Sequence, residues 1–189
     1  MKPLFLAILA GAALLLGQEA SIGSRVSDFQ VASLDGKTVA VHAANGITAI
    51  IFTSTQCPVS NAYNERMDSL YKEYAPKGVH FVFVNSNRGE PADEVKRHLA
   101  EHKLTFTVYK DPGNVLADRL NAQVTPEVYL LDAQGALRYH GSIDDSRAPE
   151  RVNDPRARKA LDEMLAGKTV SNPVSKAFGC TIKRASKAS

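Results

Sequence analysis

Sulfur is scarce in this chain. Its 189 residues hold two cysteines, Cys57 and Cys180, too few for a disulfide-framed fold or a four-cysteine zinc site, so any cysteine chemistry rests on that pair. The longest apolar run, residues 4–16, covers about thirteen positions and falls short of the roughly twenty that a bilayer requires, which excludes a polytopic membrane protein. Acidic residues are missing from position 168 onward, where Lys168, Lys176, Lys183, Arg184 and Lys187 stand unopposed. The net charge of +3 therefore belongs to a tail. With only Phe178 there to stack on a base, that tail does not make a nucleic-acid surface. No repeat and no long linker divides the chain, and 44% hydrophobic with 23% charged residues excludes disorder and describes one globular core.

The opening MKPLFLAILAGAALLLGQEA runs from Lys2 through the apolar stretch into small and polar residues. That is a secretory signal pattern over residues 1–20, with Gly17 or Ala20 before the cut, and an uncleaved anchor as the other reading. No cysteine near the cut suggests a lipid-modified terminus. Export to a periplasmic or secreted location, with no stable membrane span after cleavage, makes the two cysteines a possible disulfide pair.

Residues 26–42 read as two short strands around Asp35-Gly36, and 47–52 (ITAIIF) as a central strand buried on both faces. After Pro58, Val59, Ala62, Tyr63, Met67, Leu70, Tyr71 and Tyr74 recur at helical spacing, which predicts one amphipathic helix stopped by Pro76 and Gly78. Strand 79–84, helix 91–103, strand 105–109 and a short helix 114–120 follow. Residues 127–132 and 136–140, split by Ala133-Gln134-Gly135, predict an antiparallel hairpin, and 155–166 a closing helix. The result is an α/β fold with a central mixed sheet flanked by helices, an N-terminal β-hairpin and a C-terminal basic tail.

Cys57 sits between the end of a buried strand and the start of a helix in Thr53-Ser54-Thr55-Gln56-Cys57-Pro58-Val59-Ser60. Unpaired N–H groups at such a junction favour thiolate and can bring a thiol pKa from about 8.5 toward 3.5 to 7.5. Pro58 needs no N–H donor there, leaving the amides of Val59 and Ser60 to face the sulfur. A buried structural cysteine is the plainer alternative. A second feature, Val124-Thr125-Pro126-Glu127, places a proline just ahead of an apolar strand.

Together these residues resemble the thioredoxin superfamily, where a cis proline after Thr or a similar residue faces the active cysteine and its backbone receives the substrate chain. SxxCP at 54–58, VHFVFVNSN at 79–87, KDPGN at 110–114, TPEVYLLDAQGALRYHGSIDD at 125–145 and GCTIK at 179–183 further resemble the peroxiredoxin-like redoxins of the alkyl hydroperoxide reductase and thiol-specific antioxidant type. The resemblance implies a thioredoxin-like domain over 21–167, a tail 168–189 carrying Cys180, and thiol redox work at Cys57, with Ser54, Pro58 and Ser60 around it and Thr125 and Pro126 on the substrate side. It implies no cofactor and no metal.

Departures from the family pattern are specific. Ser54 matches the Thr or Ser that peroxiredoxins carry three residues before the attacking cysteine, but Ile50 stands where they have proline, and Thr125-Pro126 stands where their peroxide-polarising arginine lies. Another cation must then serve a peroxidase, with Arg119, Arg138 and Arg147 as candidates. Ser60 replaces the second cysteine of Cys-x-x-Cys, leaving Cys180 as resolving thiol. A closing helix of about twelve residues runs about 18 Å away from the site, and thirteen extended residues span up to roughly 40 Å, enough to return. A redox pair, a static staple and two unpaired thiols all remain open. Glu94, His98 and His102 share a helical face as an alternative metal set, Cys57 with His140 and Cys180 as a copper set, and Asp144-Asp145 reads as a turn. The leading expectation is an exported oxidoreductase in which Cys57 attacks a small peroxide or a protein disulfide, Cys180 resolves, and an external thiol reductant closes the cycle.

Overall fold

The computed structural model describes residues 20–186, so the expected signal segment, save Ala20, lies outside the described residues. In chain order the elements are β1 (Phe29–Ala32), β2 (Thr38–Val41), β3 (Thr48–Phe52), α1 (Pro58–Ala62), α2 (Asn64–Tyr74), β4 (His80–Asn85), α3 (Ala92–Glu101), β5 (Val108–Lys110), α4 (Val115–Leu120), β6 (Val124–Thr125), β7 (Glu127–Leu131), β8 (Leu137–Gly141), α5 (Arg156–Leu165) and β9 (Cys180–Thr181). Seven strands form one sheet in the order β2-β1-β5-β4-β3-β7-β8, and β6 pairs separately with β9.

The all-apolar ITAIIF run becomes the sheet's centre because it has two faces to bury. β3 pairs in parallel with β4 (Ile50↔Val82) and antiparallel with β7 (Ile50↔Tyr129). Ala49 and Ile51 join the core under α2, α3 and α5, while Ile50 and Phe52 join the core under α4 and β1. Ile50, Ile51 and Phe52 each contribute about 1.5–3 kcal/mol by leaving water, and the strand thereby becomes a rigid base for whatever follows Phe52.

Two expected elements differ. The helix predicted as continuous after Pro58 is broken at Tyr63 (φ −101°, ψ −1°) into α1 and α2. The Tyr63 hydroxyl lies between Asp144 Oδ1 (2.7 Å) and the Ser146 carbonyl (2.8 Å), anchoring the break to the loop after β8. The strand expected from residue 105 begins at Val108, because Thr105 donates both its N–H and its hydroxyl to Asp68 of α2, each at 2.7 Å. Gly78, at φ 89°, adopts the left-handed conformation that ends the short helical turn after α2.

Beyond α5 the chain returns along β8. Val174 bridges to His140, and Ser24 to Arg25 cover the other end of the same outer strand through Leu137 N–H to Ser24 (2.9 Å) and the Arg25–Ala136 bridge. Farther on, Cys180 pairs with Thr125 and Thr181 with Val124.

Candidate active site

Cys57 caps α1: its sulfur lies 3.2 Å from the Ser60 N–H, which donates to it, with Pro58 in the first helical turn. The loop before it is stitched by Ser60, whose hydroxyl oxygen accepts from Ser54 N–H (3.1 Å) and contacts Thr53 Oγ1 (3.1 Å). Ser54 Oγ in turn accepts the Cys57 N–H at 3.1 Å and donates its own proton to Glu90 Oε1 at 2.6 Å. Ser54, Pro58 and Ser60 are thus all brought to Cys57.

Thr125 faces them. The Thr125-Pro126 bond is cis, and the Thr125 carbonyl oxygen lies 3.3 Å from Cys57 Sγ. Cys57 and Cys180 form a disulfide, their Cα atoms 5.8 Å apart. Cys57 is 2% exposed, whereas Cys180 is half-buried. Gly179 fits because any Cβ there would overlap the Thr125 carbonyl.

With this arrangement in place, residues 22–140 match the profile of the AhpC/TSA family. The chain belongs to the AhpC/TSA family. Its fold is thioredoxin-like, with a mixed central sheet flanked by helices. Over 140 residues it is 27% identical to the thiol-disulfide oxidoreductase ResA of Oceanobacillus iheyensis, covering 70% of this chain and 72% of that protein. A solved structure of a conserved protein from Geobacillus kaustophilus is 28% identical with a TM-score of 0.81, covering 89% of this chain and 94% of the other. A hypothetical protein from Sinorhizobium meliloti is 26% identical with a TM-score of 0.79, covering 90% and 98%.

Behind Cys57 this AhpC/TSA chain carries a buried polar layer that sequence reading does not single out. Glu90 Oε2 accepts from Thr55 N–H (2.7 Å) and Asn85 Nδ2 (2.6 Å) and lies 2.8 Å from Thr55 Oγ1, itself 2.5 Å from Glu94 Oε1. Lys110 Nζ donates to Asn85 Oδ1 (2.5 Å) and to the carbonyls of Glu90 (2.6 Å) and Asn87 (3.2 Å), and burial lowers its pKa. The available signal is topological: a carboxylate in the short Arg88-Gly89-Glu90-Pro91 loop follows a buried strand parallel to β3, so it emerges at the same sheet edge as Cys57.

Across the site, Glu127 is 4% exposed. It accepts from Gln123 N–H (2.7 Å), Val124 N–H (3.1 Å) and Tyr129 OH (3.2 Å), and its Oε1 lies 2.6 Å from His140 Nε2. Burial pushes its pKa up, yet the bonds from His140, Gln123 and Val124 outweigh burial and hold it below the ordinary value. The motif Val124-Thr125-Pro126-Glu127 does not by itself reveal this role, because three of the Glu127 partners become neighbours only through the turn at Pro126 and the β7–β8 pairing.

The candidate cations are dispersed. Arg119 bonds Ser27 and Asp28, Arg138 pairs with Asp132 at the turn of the hairpin, and Arg147 donates to the Pro58 carbonyl at 3.5 Å. Among the described residues no arginine hydrogen-bonds Cys57. Lys176 and Lys183 of the tail are exposed. The His98 and His102 ring centres lie 4.3 Å apart, but Glu94 turns away to Thr55 and Gln56 and His98 Nε2 to Asn64, so the three do not converge on one point. His140 Nε2 faces Glu127 while both sulfurs bond each other, so the copper set is not assembled either. Asp144 is a buried partner of Arg66 (2.7 Å), with that guanidinium 3.6 Å above the Tyr63 ring.

Proposed function

We propose that this thiol-dependent oxidoreductase works by thiol–disulfide exchange, with Cys57 as nucleophile and Cys180 as resolving thiol. The observation that carries the reading is the disulfide closing Cys57 onto Cys180 beside the Thr125 carbonyl. In the reduced protein the Cys57 thiolate, held by the Ser60 N–H, attacks a disulfide sulfur, and one half of the substrate leaves as a thiolate. Cys180 then attacks the Cys57 sulfur of the mixed disulfide, releasing the second thiol, and an external thiol restores the pair. ResA, a relative named as a thiol-disulfide oxidoreductase, supports the same chemistry.

Exchange is favoured over peroxide cleavage by the direction of one proton. Ser54 gives its hydroxyl proton to Glu90, so it has none to offer a departing peroxide oxygen, and no arginine replaces that donor among the described residues. Loss of one such donor costs about 10²–10³ in rate. The signal-type leader at 1–20 supports export, where a disulfide between 21–167 and the tail 168–189 persists.

The test is reactivity of the reduced protein. Alkylation of Cys57 faster than free cysteine at mildly acid pH, together with slow consumption of hydrogen peroxide in stopped flow, is the expected pair of results. Cys57 reacting no faster than free cysteine would overturn a catalytic role. Peroxide oxidation orders of magnitude above a free thiolate would replace exchange by peroxidase chemistry.

A further inference from the structure

The backbone edge at Thr125, which lies against Cys57, is already filled by the protein's own tail. Building on the exchange reading, we propose that the oxidised site is reduced by small thiols rather than by extended polypeptides, because residues 179–182 occupy the strand position a polypeptide would need, and that this reductant, a partner distinct from the disulfide that Cys57 attacks, enters at Cys180.

Three observations carry this. β9 uses the hydrogen-bonding edge of β6, with Cys180 opposite Thr125 and Thr181 opposite Val124. Gly179 is packed so closely that a Cβ would overlap the Thr125 carbonyl, leaving no gap for a second chain. Finally, the tail is held on both sides of Cys180 by contacts that do not involve the disulfide. Upstream, His140 N–H donates to the Pro173 carbonyl (2.9 Å), Ser175 N–H to the His140 carbonyl (2.9 Å) and Ser142 N–H to Ser175 Oγ (3.0 Å). Downstream, Ile182 is buried and donates its N–H to Gln123 (2.9 Å), Lys183 N–H donates to Asn87 Oδ1 (2.8 Å) and Ala185 N–H to Asn114 Oδ1 (2.6 Å). Opening the disulfide leaves these anchors in place, so the strand stays.

Access then decides which sulfur reacts, since exchange rates depend on it. Cys57 is buried and Cys180, though half-buried, is the more accessible of the two. A small thiolate attacks Cys180 Sγ. A new sulfur–sulfur bond forms there, the Cys57–Cys180 bond breaks, and its electron pair leaves on Cys57, whose developing charge meets the Ser60 N–H. A second small thiolate attacks the outer sulfur of the mixed disulfide, giving the small-molecule disulfide and a Cys180 thiolate that takes a proton from water. Two thiols are oxidised and one protein disulfide is reduced.

The experiment reduces the full oxidised chain with dithiothreitol or with a reduced thioredoxin-type protein dithiol, comparing rate constants per thiolate. Dithiothreitol is expected to be about tenfold faster or more, since access rather than thiol chemistry separates the two. Quenching a reaction with 2-mercaptoethanol by alkylation and peptide mapping should place the adduct on Cys180 and the label on Cys57. Gly179→Val, whose side chain must lift the strand from Thr125, should narrow the gap between small and protein dithiols; Ile182→Ser, which loosens the downstream anchor, should act in the same direction and serves if the first variant does not fold. Equal or faster reduction of the native chain by the protein dithiol, an adduct on Cys57, or an unchanged gap in both variants would overturn the proposal while leaving exchange intact. A disulfide inert to every thiol would remove the exchange reading and this one with it.

Discussion

Glu127 sits where backbone, imidazole and cis proline meet, and its ionisation is tied to the arch that carries Thr125. Its two backbone donors, Gln123 and Val124, lead directly into β6, so the charge holds the strand against which Cys180 is laid. Because the folded pKa is lowered from 4.5, the stabilisation is fully present above that ordinary value and is lost as pH falls through the lowered one. Glu127→Gln should therefore destabilise the protein most at neutral pH, with the difference from the native chain shrinking as acid protonates the native carboxylate. Urea titrations at stepped pH check this, and a difference independent of pH would contradict it. Glu90 on the opposite side is the complement: it takes the Ser54 proton while Ser54 takes the Cys57 N–H, so the loop geometry at the sulfur depends on a carboxylate 33 positions away from it in sequence.

At the scale of elements, the break between α1 and α2 lets the Cys57 end and the core-facing end of one apolar pattern point differently. Tyr63→Phe removes the hydroxyl that meets Asp144 and Ser146, and should cost roughly 1–3 kcal/mol because it strips a buried charged acceptor of one donor. Chemical denaturation monitored by circular dichroism measures it; a variant of native stability would show the break to be set elsewhere. The sequence pattern could not reveal this interruption, since Tyr63 satisfies helical periodicity whether or not its hydroxyl is tethered eighty residues on. Strands were more legible: β3, β4 and the β7–β8 hairpin are written in contiguous apolar runs and turn residues, whose meaning is local. Cys57, Ser54, Ser60 and the Thr125-Pro126 pair were legible for the same reason, as short motifs at strand ends. Glu90, Lys110 and Glu127 were not, because a buried charge is intelligible only once its distant partners are known.

Across the whole molecule, the Cys57–Cys180 bond closes a span of 123 residues. A loop of that length, cross-linked, restricts the unfolded chain by up to about 5 kcal/mol in the entropic account. Reduction, or Cys180→Ser, should lower stability by roughly 2–5 kcal/mol without unfolding the domain, since the anchors of the tail do not depend on sulfur. Denaturant midpoints with and without reductant test this, and unfolding on reduction alone would show that the tail is held by the bond. Where Cys180 would land could be bounded in the sequence by chain reach, but its partner strand could not, because β9 is two residues long and carries no strand pattern.

β8 is the last strand of the main sheet, and its outward side is met by residues 23–25 at one end and by Val174 and Ser175 at the other. Remove the tail and the second cover goes with it, leaving unsatisfied N–H and C=O groups at His140 beside strand β7. An open edge of that kind recruits the edge of a neighbouring molecule. A chain ending at Gly167 should accordingly self-associate, with oligomers growing with concentration in sedimentation velocity while the full chain does not follow; a truncated chain that stays monomeric would show the edge to be protected by other means. The tail that closes the redox pair at Cys180 would then also, through Val174 and Ser175, be what keeps one copy of this protein from polymerising with the next.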